Sequence, residues 1–161
     1  MKVIDNFLDD DDWHEFNSPT VWEKKISNNF VPVQELGDSF VETIVSKIWD
    51  TFSLDHREKI SYYEYWTNFL DKDIPLEWHL DKDEVMYEER QFVDTPMYGA
   101  VLYPEHAISG GFLEIEFSRG ELERLAAVPN RLVLFEAGDK YHRVSPIHYG
   151  QRRTFATNIW K

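Results

Sequence analysis

Residues 130–160 read NRLVLFEAGDKYHRVSPIHYGQRRTFATNIW. This stretch holds three segments rich in branched and aromatic residues, RLVLFEA, KYHRVS and RRTFATNIW, a composition typical of β-strands. Turn formers separate the segments at Gly138 and between Pro146 and Gly150. The C-terminal part of the chain is therefore predicted to form short strands joined by tight turns.

Segments of the same kind extend back towards the N-terminus as far as residue 58. They are KISYYEYWTNFL, EWHLD, MYGAVLY and GFLEIEF, again divided by turn formers such as Pro75, Pro104 and Gly110. Seven or eight short strands at this spacing predict an all-β sandwich or barrel. The stretch GELERLAAVPN fits either a short helix or a strand.

The N-terminal part of the chain has a helical pattern. In residues 39–52, Ser39 and Glu42 form a capping box, and apolar residues up to Phe52 recur at helical spacing. This helix is expected to pack its apolar stripe on a sheet. Before it, KVIDNF predicts a strand, and the four aspartates at 9–12 suit the N-terminus of a short helix.

No internal repeat and no Gly/Ser/Pro-rich linker divides the chain. We therefore expect one domain over residues 1–161, in which residues 1–57 provide helical support and residues 58–161 form the β core.

The composition narrows the classes of partner. The chain has 161 residues, 30 acidic and 17 basic, with a formal charge of −13. Nucleic-acid binding needs dense Lys/Arg patches, so nucleic acid is not an expected partner. The sequence has no long apolar window and no N-terminal signal segment, which predicts a cytoplasmic protein without a membrane partner. Cysteine is absent, so a metal would have to be held by nitrogen and oxygen.

The motif EWHLD at 77–81 places a histidine and a carboxylate one residue apart. In a strand, the period of two puts His79 and Asp81 on the same face, where both can bind one metal. The motif alone is weak evidence, because about one His-x-Asp/Glu is expected by chance in this composition. A second example, His56 to Glu58, lies in a charged stretch and is interpreted as surface.

His142 supplies a third candidate ligand from a different predicted strand. Two histidines and one carboxylate form the facial triad that binds Fe(II) and leaves adjacent coordination positions open. We therefore predict a metal site made of His79, Asp81 and His142.

Arg152 opens the last predicted strand. Alternation puts it on one face with Thr154, Ala156 and Asn158, and puts Arg153 on the other. The face that contains Arg152 is predicted to line the same cavity as the metal site.

In their order and separation, these motifs resemble the Fe(II)- and 2-oxoglutarate-dependent oxygenases, most closely the branch that contains the prolyl hydroxylases. The segments that carry the resemblance are VIDNFL, HLD, AVLY, GGFLEI, NRLVLF and HRVSPI. The separations of 63 residues from His79 to His142, and of 10 more to Arg152, also fit the family. The resemblance covers most of the chain and implies a mainly β fold, the double-stranded β-helix or jelly roll, with helices on its larger sheet.

The resemblance also implies roles for individual residues. The three predicted ligands would bind Fe(II), and Arg152 would hold the distal carboxylate of the cosubstrate 2-oxoglutarate through two charge-assisted hydrogen bonds. Tyr103 matches a tyrosine that donates to the same carboxylate in some members, and Leu113 matches an apolar wall of that pocket.

The implied activity is that of a dioxygenase, which uses O2 to hydroxylate a C–H bond and releases succinate and CO2. Halogenating members carry a small residue in place of Asp81, so this carboxylate favours hydroxylation. Desaturation and demethylation stay open. The branch implies a prolyl or amino-acid-type substrate, in a peptide or as a small molecule, and another small molecule is the competing possibility.

Two other classes compete with this interpretation. A cupin-type metalloenzyme on a similar barrel would not need 2-oxoglutarate, but such proteins typically present His-x-His where this chain has His79 and Asp81. A non-catalytic jelly-roll binding module would not need two histidines, an aspartate and Arg152 together.

Residues 82–96, KDEVMYEERQFVDTP, are long for a connection between two strands. Such a segment at the rim of a barrel is either a lid over the cavity or a plain surface loop. In the lid hypothesis, Tyr87, Glu88, Glu89 and Arg90 help to select the substrate.

His106 and His148 are expected to be solvated and not to bind metal, and His14 lies in the first predicted helix, remote in sequence from every predicted ligand. Trp66 and Trp78 could line a substrate cavity, but core packing is the role expected for each.

Overall fold

The computed structural model describes residues 1–51, 60–117 and 120–161. Three sequence-based expectations lie outside these residues: the place of Phe52 in a helix, the surface position of His56 to Glu58, and the boundary after residue 57.

The described residues form twelve strands, four α-helices and one 3-10 turn. The strands are β1 (Lys2–Ile4), β2 (Asn29–Pro32), β3 (Tyr62–Leu70), β4 (Leu76–His79), β5 (Tyr98–Leu102), β6 (Ser109–Gly110), β7 (Leu113–Phe117), β8 (Glu121–Leu125), β9 (Leu132–Phe135), β10 (His142–Val144), β11 (Ile147–Tyr149) and β12 (Arg152–Trp160). The helices are α1 (Asp10–Phe16), α2 (Pro19–Trp22), α3 (Phe40–Thr51) and α4 (Glu84–Arg90), and the 3-10 turn is Val33–Glu35.

The strands form two main antiparallel sheets. The larger has the order β1-β9-β5-β12-β3-β2 and the smaller the order β4-β10-β7-β8, while β6 pairs with β11. This mainly β architecture, with few helices, confirms the predicted jelly roll. The N-terminal segment adds more than helices, because β1 and β2 extend the larger sheet by pairing with β9 and β3. The ambiguous stretch after residue 120 is a strand, β8.

The helices α1, α2 and α3 pack on one face of the larger sheet. The stripe of α3 is buried there, with Ile48 fully buried, in one apolar cluster with residues of β9 and β12. Burying a side chain of this size stabilises the fold by about 1.5–3 kcal/mol. The predicted cap is present, since the Ser39 hydroxyl donates to the Glu42 carboxylate. The predicted packing of this helix on a sheet is confirmed.

The strand β12 separates the helical layer from the interior of the jelly roll. Phe155 packs edge-on against Phe16 of α1, and Thr157 Oγ1 accepts a hydrogen bond from Trp49 Nε1 of α3. Side chains at the alternate positions therefore point between the two sheets. No helix within the described residues is long and apolar enough to cross a membrane.

Candidate active site

A cavity of about 670 Å³ lies between the two sheets. Residues of β3 and β12 form one side of its wall, and residues of β4, β7 and β10 form the other. Four alternate residues of β12 line it as alternation predicts: Arg152, Thr154, Ala156 and Asn158.

The three predicted metal ligands meet in this cavity. His79 ends β4, His142 begins β10, and the two are cross-strand partners. Asp81 Oδ1 lies 3.7 Å from His79 Nε2 and 3.6 Å from His142 Nε2. The candidate ligand atoms all lie within 4.8 Å of one another, which is close enough to hold one metal ion. Within the described parts of the chain, no other group of three such side chains does so.

Backbone carbonyls orient both imidazoles. His79 Nδ1 lies 2.7 Å from the carbonyl oxygen of Glu77, and His142 Nδ1 lies 3.0 Å from that of Lys140. Because a carbonyl only accepts, each Nδ1 carries the proton and donates it. The Nε2 lone pairs of both rings are therefore directed at Asp81 and available to a metal.

The electrostatic environment favours the metal-binding protonation states of His79 and Asp81. Burial lowers the pKa of His79, and the neighbouring His142, with ring centroids 4.2 Å apart, lowers it further. Burial alone would raise the pKa of Asp81, but His142 and the amide of Asn158 together outweigh burial and lower it. Neutral imidazole and ionised carboxylate are the states in which these side chains bind a divalent metal.

Arg152 is a buried cation at the cavity wall. Its Nε donates to the Gly111 carbonyl at 3.0 Å and its Nη2 donates to the Tyr103 hydroxyl at 3.2 Å. Among the described residues, no carboxylate pairs with it, although it is only 3% exposed. A buried charge is costly without an opposite charge, so the position fits an anionic ligand.

Tyr103 lies against this guanidinium, and Leu113 belongs to the same apolar cluster as Tyr103. Tyr103 is fully buried against Arg152 and is not part of the cavity wall, whereas Leu113 is buried and lines the cavity. The Tyr103 hydroxyl accepts from Arg152, which leaves its own proton available to donate.

The segment 82–96 contains the helix α4, which sequence patterning did not predict. Tyr87 of this helix lines the cavity, and Lys82 Nζ lies 3.6 Å from the centroid of its ring. Arg90 is exposed and does not line the cavity. Of the four residues in the lid hypothesis, only Tyr87 lines the cavity wall.

Three expectations about other side chains are wrong. Trp66 and Trp78 line the cavity instead of packing in the core. His106 is half-buried, its Nε2 lies 3.1 Å from the Ala127 carbonyl oxygen, and its ring meets Tyr103 edge-on. His148 is exposed, as expected, and His14 is exposed as well.

Sequence analysis missed Glu64 of β3. This glutamate is 5% exposed, lines the cavity, and accepts hydrogen bonds from Asn28, Asn158 and Trp160. Burial raises its pKa. The signal that could have identified it is a single carboxylate on the cavity-facing side of the aromatic segment YYEYWTNFL.

No family model and no curated protein matches the chain. Solved structures do match the chain. A prolyl-4-hydroxylase of Pseudomonas putida is 17% identical with a TM-score of 0.71, and the match covers 99% of this chain and 91% of that one. A prolyl hydroxylase of Trichoplax adhaerens, in complex with a peptide fragment of the hypoxia inducible factor oxygen degradation domain, is 13% identical with a TM-score of 0.66 and coverages of 99% and 82%.

A third match is the viral collagen prolyl hydroxylase from Paramecium Bursaria Chlorella virus-1, in its 2-oxoglutarate complex. It is 14% identical with a TM-score of 0.64, and the match covers 98% of this chain and 93% of that one. At these identities the likeness is one of fold. The chain has the jelly-roll fold of the prolyl-hydroxylase-like branch of the 2-oxoglutarate Fe(II) oxygenases.

Proposed function

We propose that the protein is an Fe(II)- and 2-oxoglutarate-dependent dioxygenase that hydroxylates a C–H bond of its substrate. The observation that carries this proposal is the presence in one cavity of a two-histidine, one-carboxylate cluster and a buried arginine that no carboxylate of the described residues pairs with. A jelly-roll binding module would need neither feature.

The donor atoms fit both groups. His79, Asp81 and His142 would hold the iron, because two imidazole nitrogens and one carboxylate oxygen suit Fe(II) and leave other positions open. Arg152 would hold the distal carboxylate of 2-oxoglutarate, with Leu113 along its apolar side. When bound, iron, 2-oxoglutarate and O2 supply the oxidising power for hydroxylation, with succinate and CO2 as coproducts.

The chain itself would hold these groups in place and keep water away from them. The carbonyls of Glu77 and Lys140 fix the imidazole rings, so that each Nε2 is ready to bind without a change of tautomer. Apolar side chains of the wall, including Leu76, Val101 and Val144, limit the water that can reach the cosubstrate end.

For the substrate, we infer a prolyl or other amino-acid-type group, in a peptide or as a small molecule. Aromatic side chains of the cavity wall, Trp66, Trp78, Tyr87 and Tyr141, provide flat apolar surfaces for a ring of this size. The peptide complex of the Trichoplax adhaerens neighbour supports a peptide as one form of the substrate.

The cupin-type alternative, a metalloenzyme that does not use 2-oxoglutarate, leaves Arg152 unexplained. Such an enzyme has no need of a buried guanidinium at the wall of its metal cavity.

Anaerobic titration with Fe(II) and 2-oxoglutarate tests the proposal. The chelate should give its weak visible charge-transfer band with the native protein, and His79→Ala or His142→Ala should abolish the band. The matched control is His148→Ala, since His148 is exposed on β11 and should retain the band. Absence of the band with native protein at saturating 2-oxoglutarate would overturn the proposal.

A further inference from the structure

Asp81 is held from the side that faces away from the two imidazoles. Asn158 Nδ2 of β12 donates to Asp81 Oδ2 at 3.0 Å, while Asp81 Oδ1 faces Nε2 of His79 and of His142. A carboxylate without such a partner can rotate and present either oxygen, or both, to a metal. The bond from Asn158 opposes this rotation because it engages Oδ2.

Asn158 is in turn held by Glu64, its cross-strand partner on β3. Asn158 Nδ2 also donates to Glu64 Oε2 at 3.3 Å, and the same oxygen accepts from Trp160 Nε1 at 3.0 Å. Glu64 Oε1 accepts from Asn28 Nδ2 at 3.0 Å. Because the carboxylates on either side only accept, the amide nitrogen of Asn158, and not its oxygen, must lie between Glu64 and Asp81.

The opposite neighbour of Asn158 in the sheet is Gly99 of β5. A Cβ at this position would lie 2.7 Å from Asn158 Oδ1 and 2.6 Å from the Cβ of Ala137. Any larger residue would push the amide away from its observed position. The sequence of β5 therefore leaves the space that the contact between Asn158 and Asp81 requires.

We propose that Asn158 is a positioning residue of the metal site, which makes Asp81 bind the metal through Oδ1 alone, and that Glu64 keeps Asn158 in the required orientation. The inference rests on the proposed function in taking Asp81 as a metal ligand, and adds two residues that act through it. Both are nearly fully buried, so solvent does not compete for these hydrogen bonds. Hydrogen-bond partners of metal ligands typically contribute about 10–100-fold to metal affinity.

Titration with Co(II) tests the inference without reference to turnover, because the visible bands of Co(II) report both affinity and coordination. Asn158→Ala should raise the dissociation constant of Co(II) by about 10–100-fold. It should also change the visible spectrum at saturating metal, since Oδ2 of Asp81 is then free to coordinate. Asn68→Ala is the matched control, because Asn68 lines the same cavity from β3 and should leave affinity and spectrum as in the native protein.

Glu64→Gln is a second variant that leaves Asn158 in the chain. In this variant an amide NH2 group replaces one acceptor oxygen, while the neighbours on both sides of residue 64 are donors. We expect the dissociation constant of Co(II) to rise, but by less than in Asn158→Ala. If Asn158→Ala fails to fold, as judged by circular dichroism, the Glu64→Gln titration decides: weaker Co(II) binding supports the inference and native affinity overturns it.

The failures of the two proposals are distinguishable. If the native protein binds no Co(II), the proposed metal site is wrong and the inference fails with it. If the native protein binds Co(II), but Asn158→Ala binds it with native affinity and spectrum, then Asn158 serves only the fold and the inference alone fails.

Discussion

Arg152 and Arg153 are adjacent residues of the same type in different environments. Arg152 faces the cavity and has no carboxylate partner among the described residues. Arg153 is half-buried on the other side of β12, where it donates to Gln151 and lies over the ring of Phe69. Alternation along the strand separates them, so they make a natural pair of variants.

On the proposed function, Arg152→Ala should weaken 2-oxoglutarate binding by roughly 10–100-fold, because a charge-assisted hydrogen bond contributes about 1.5–3 kcal/mol. Affinity for the metal should stay close to native. Anaerobic titration of the Fe(II) protein with 2-oxoglutarate measures the effect, and Arg153→Ala is the control that should bind normally. Equal 2-oxoglutarate affinity for the native protein and Arg152→Ala would show that the cosubstrate is held elsewhere.

His106 should make the fold sensitive to mild acid. Burial lowers the pKa of this imidazole in the folded state, and the charges of Arg152 and Arg153 act in the same direction. The unfolded chain titrates near the ordinary value of about 6.5, so below that pH it binds a proton that the folded chain resists. The stability that depends on neutral His106 is therefore fully present above about pH 6.5 and is lost progressively as the pH falls below that value.

Thermal unfolding at about pH 7.5 and about pH 5.5 measures this loss. His106→Gln should reduce the fall in melting temperature between the two conditions, while the half-buried His79 accounts for a remaining part. His14→Gln, at an exposed site, should behave like the native protein. The same fall in His106→Gln and native protein would contradict the prediction.

The site residues that could be predicted are those whose positions follow from their spacing within one short segment of sequence. The face shared by Arg152 and Asn158 follows from alternation within one strand, and the HLD motif places His79 and Asp81 together. Glu64 was missed, and the environment of His106 was predicted wrongly, because their partners are distant in sequence. Glu64 accepts a hydrogen bond from a residue 94 positions later, and His106 contacts a backbone carbonyl 21 positions later.

At the scale of elements, the two helices α3 and α4 differ in what holds them. The helix α3 was predicted because its stripe is buried against the larger sheet, which imposes helical periodicity on the sequence. The helix α4 has seven residues and buries none of them, so no such periodicity is imposed. Its N-terminus is capped by Asp83, whose side chain accepts from Met86 N.

We therefore expect the amides of α4 to exchange hydrogen by local opening, much faster than those of the buried strand β12. A helix this short is marginal without tertiary packing. Asp83→Ala removes a cap that contributes about 1 kcal/mol, which should speed exchange in α4 about fivefold and leave β12 unchanged. Hydrogen exchange with mass spectrometry measures both segments.

Asp94→Ala is the matched control, since Asp94 lies in the same connection but outside the helix. It should leave exchange in α4 near the native rate. Exchange in α4 as slow as in β12 would mean that this helix is held by contacts other than its cap.

At the scale of the molecule, the net negative charge of the protein should repel the proposed cosubstrate. The chain carries a formal charge of −13, and 2-oxoglutarate is a dianion. The cavity wall contains cations at Lys82 and Arg152, but Lys82 is paired with Glu84. Arg152 attracts the ligand only at short range, so the field that the ligand meets on approach is that of the whole acidic surface.

Association of 2-oxoglutarate should therefore become faster as salt is added, because the screening length falls to about 10 Å at 0.1 M ionic strength. Stopped-flow binding to the metal-loaded protein at low and moderate NaCl measures the rate constant. Glu88→Lys with Glu89→Lys, on α4 beside the cavity, should raise the low-salt rate and flatten its salt dependence. The double variant Glu121→Lys with Glu123→Lys, on β8, changes the net charge by the same amount. It should raise the low-salt rate less, because that strand does not line the cavity. A native rate that falls with salt would mean that Arg152 dominates the approach despite the acidic surface.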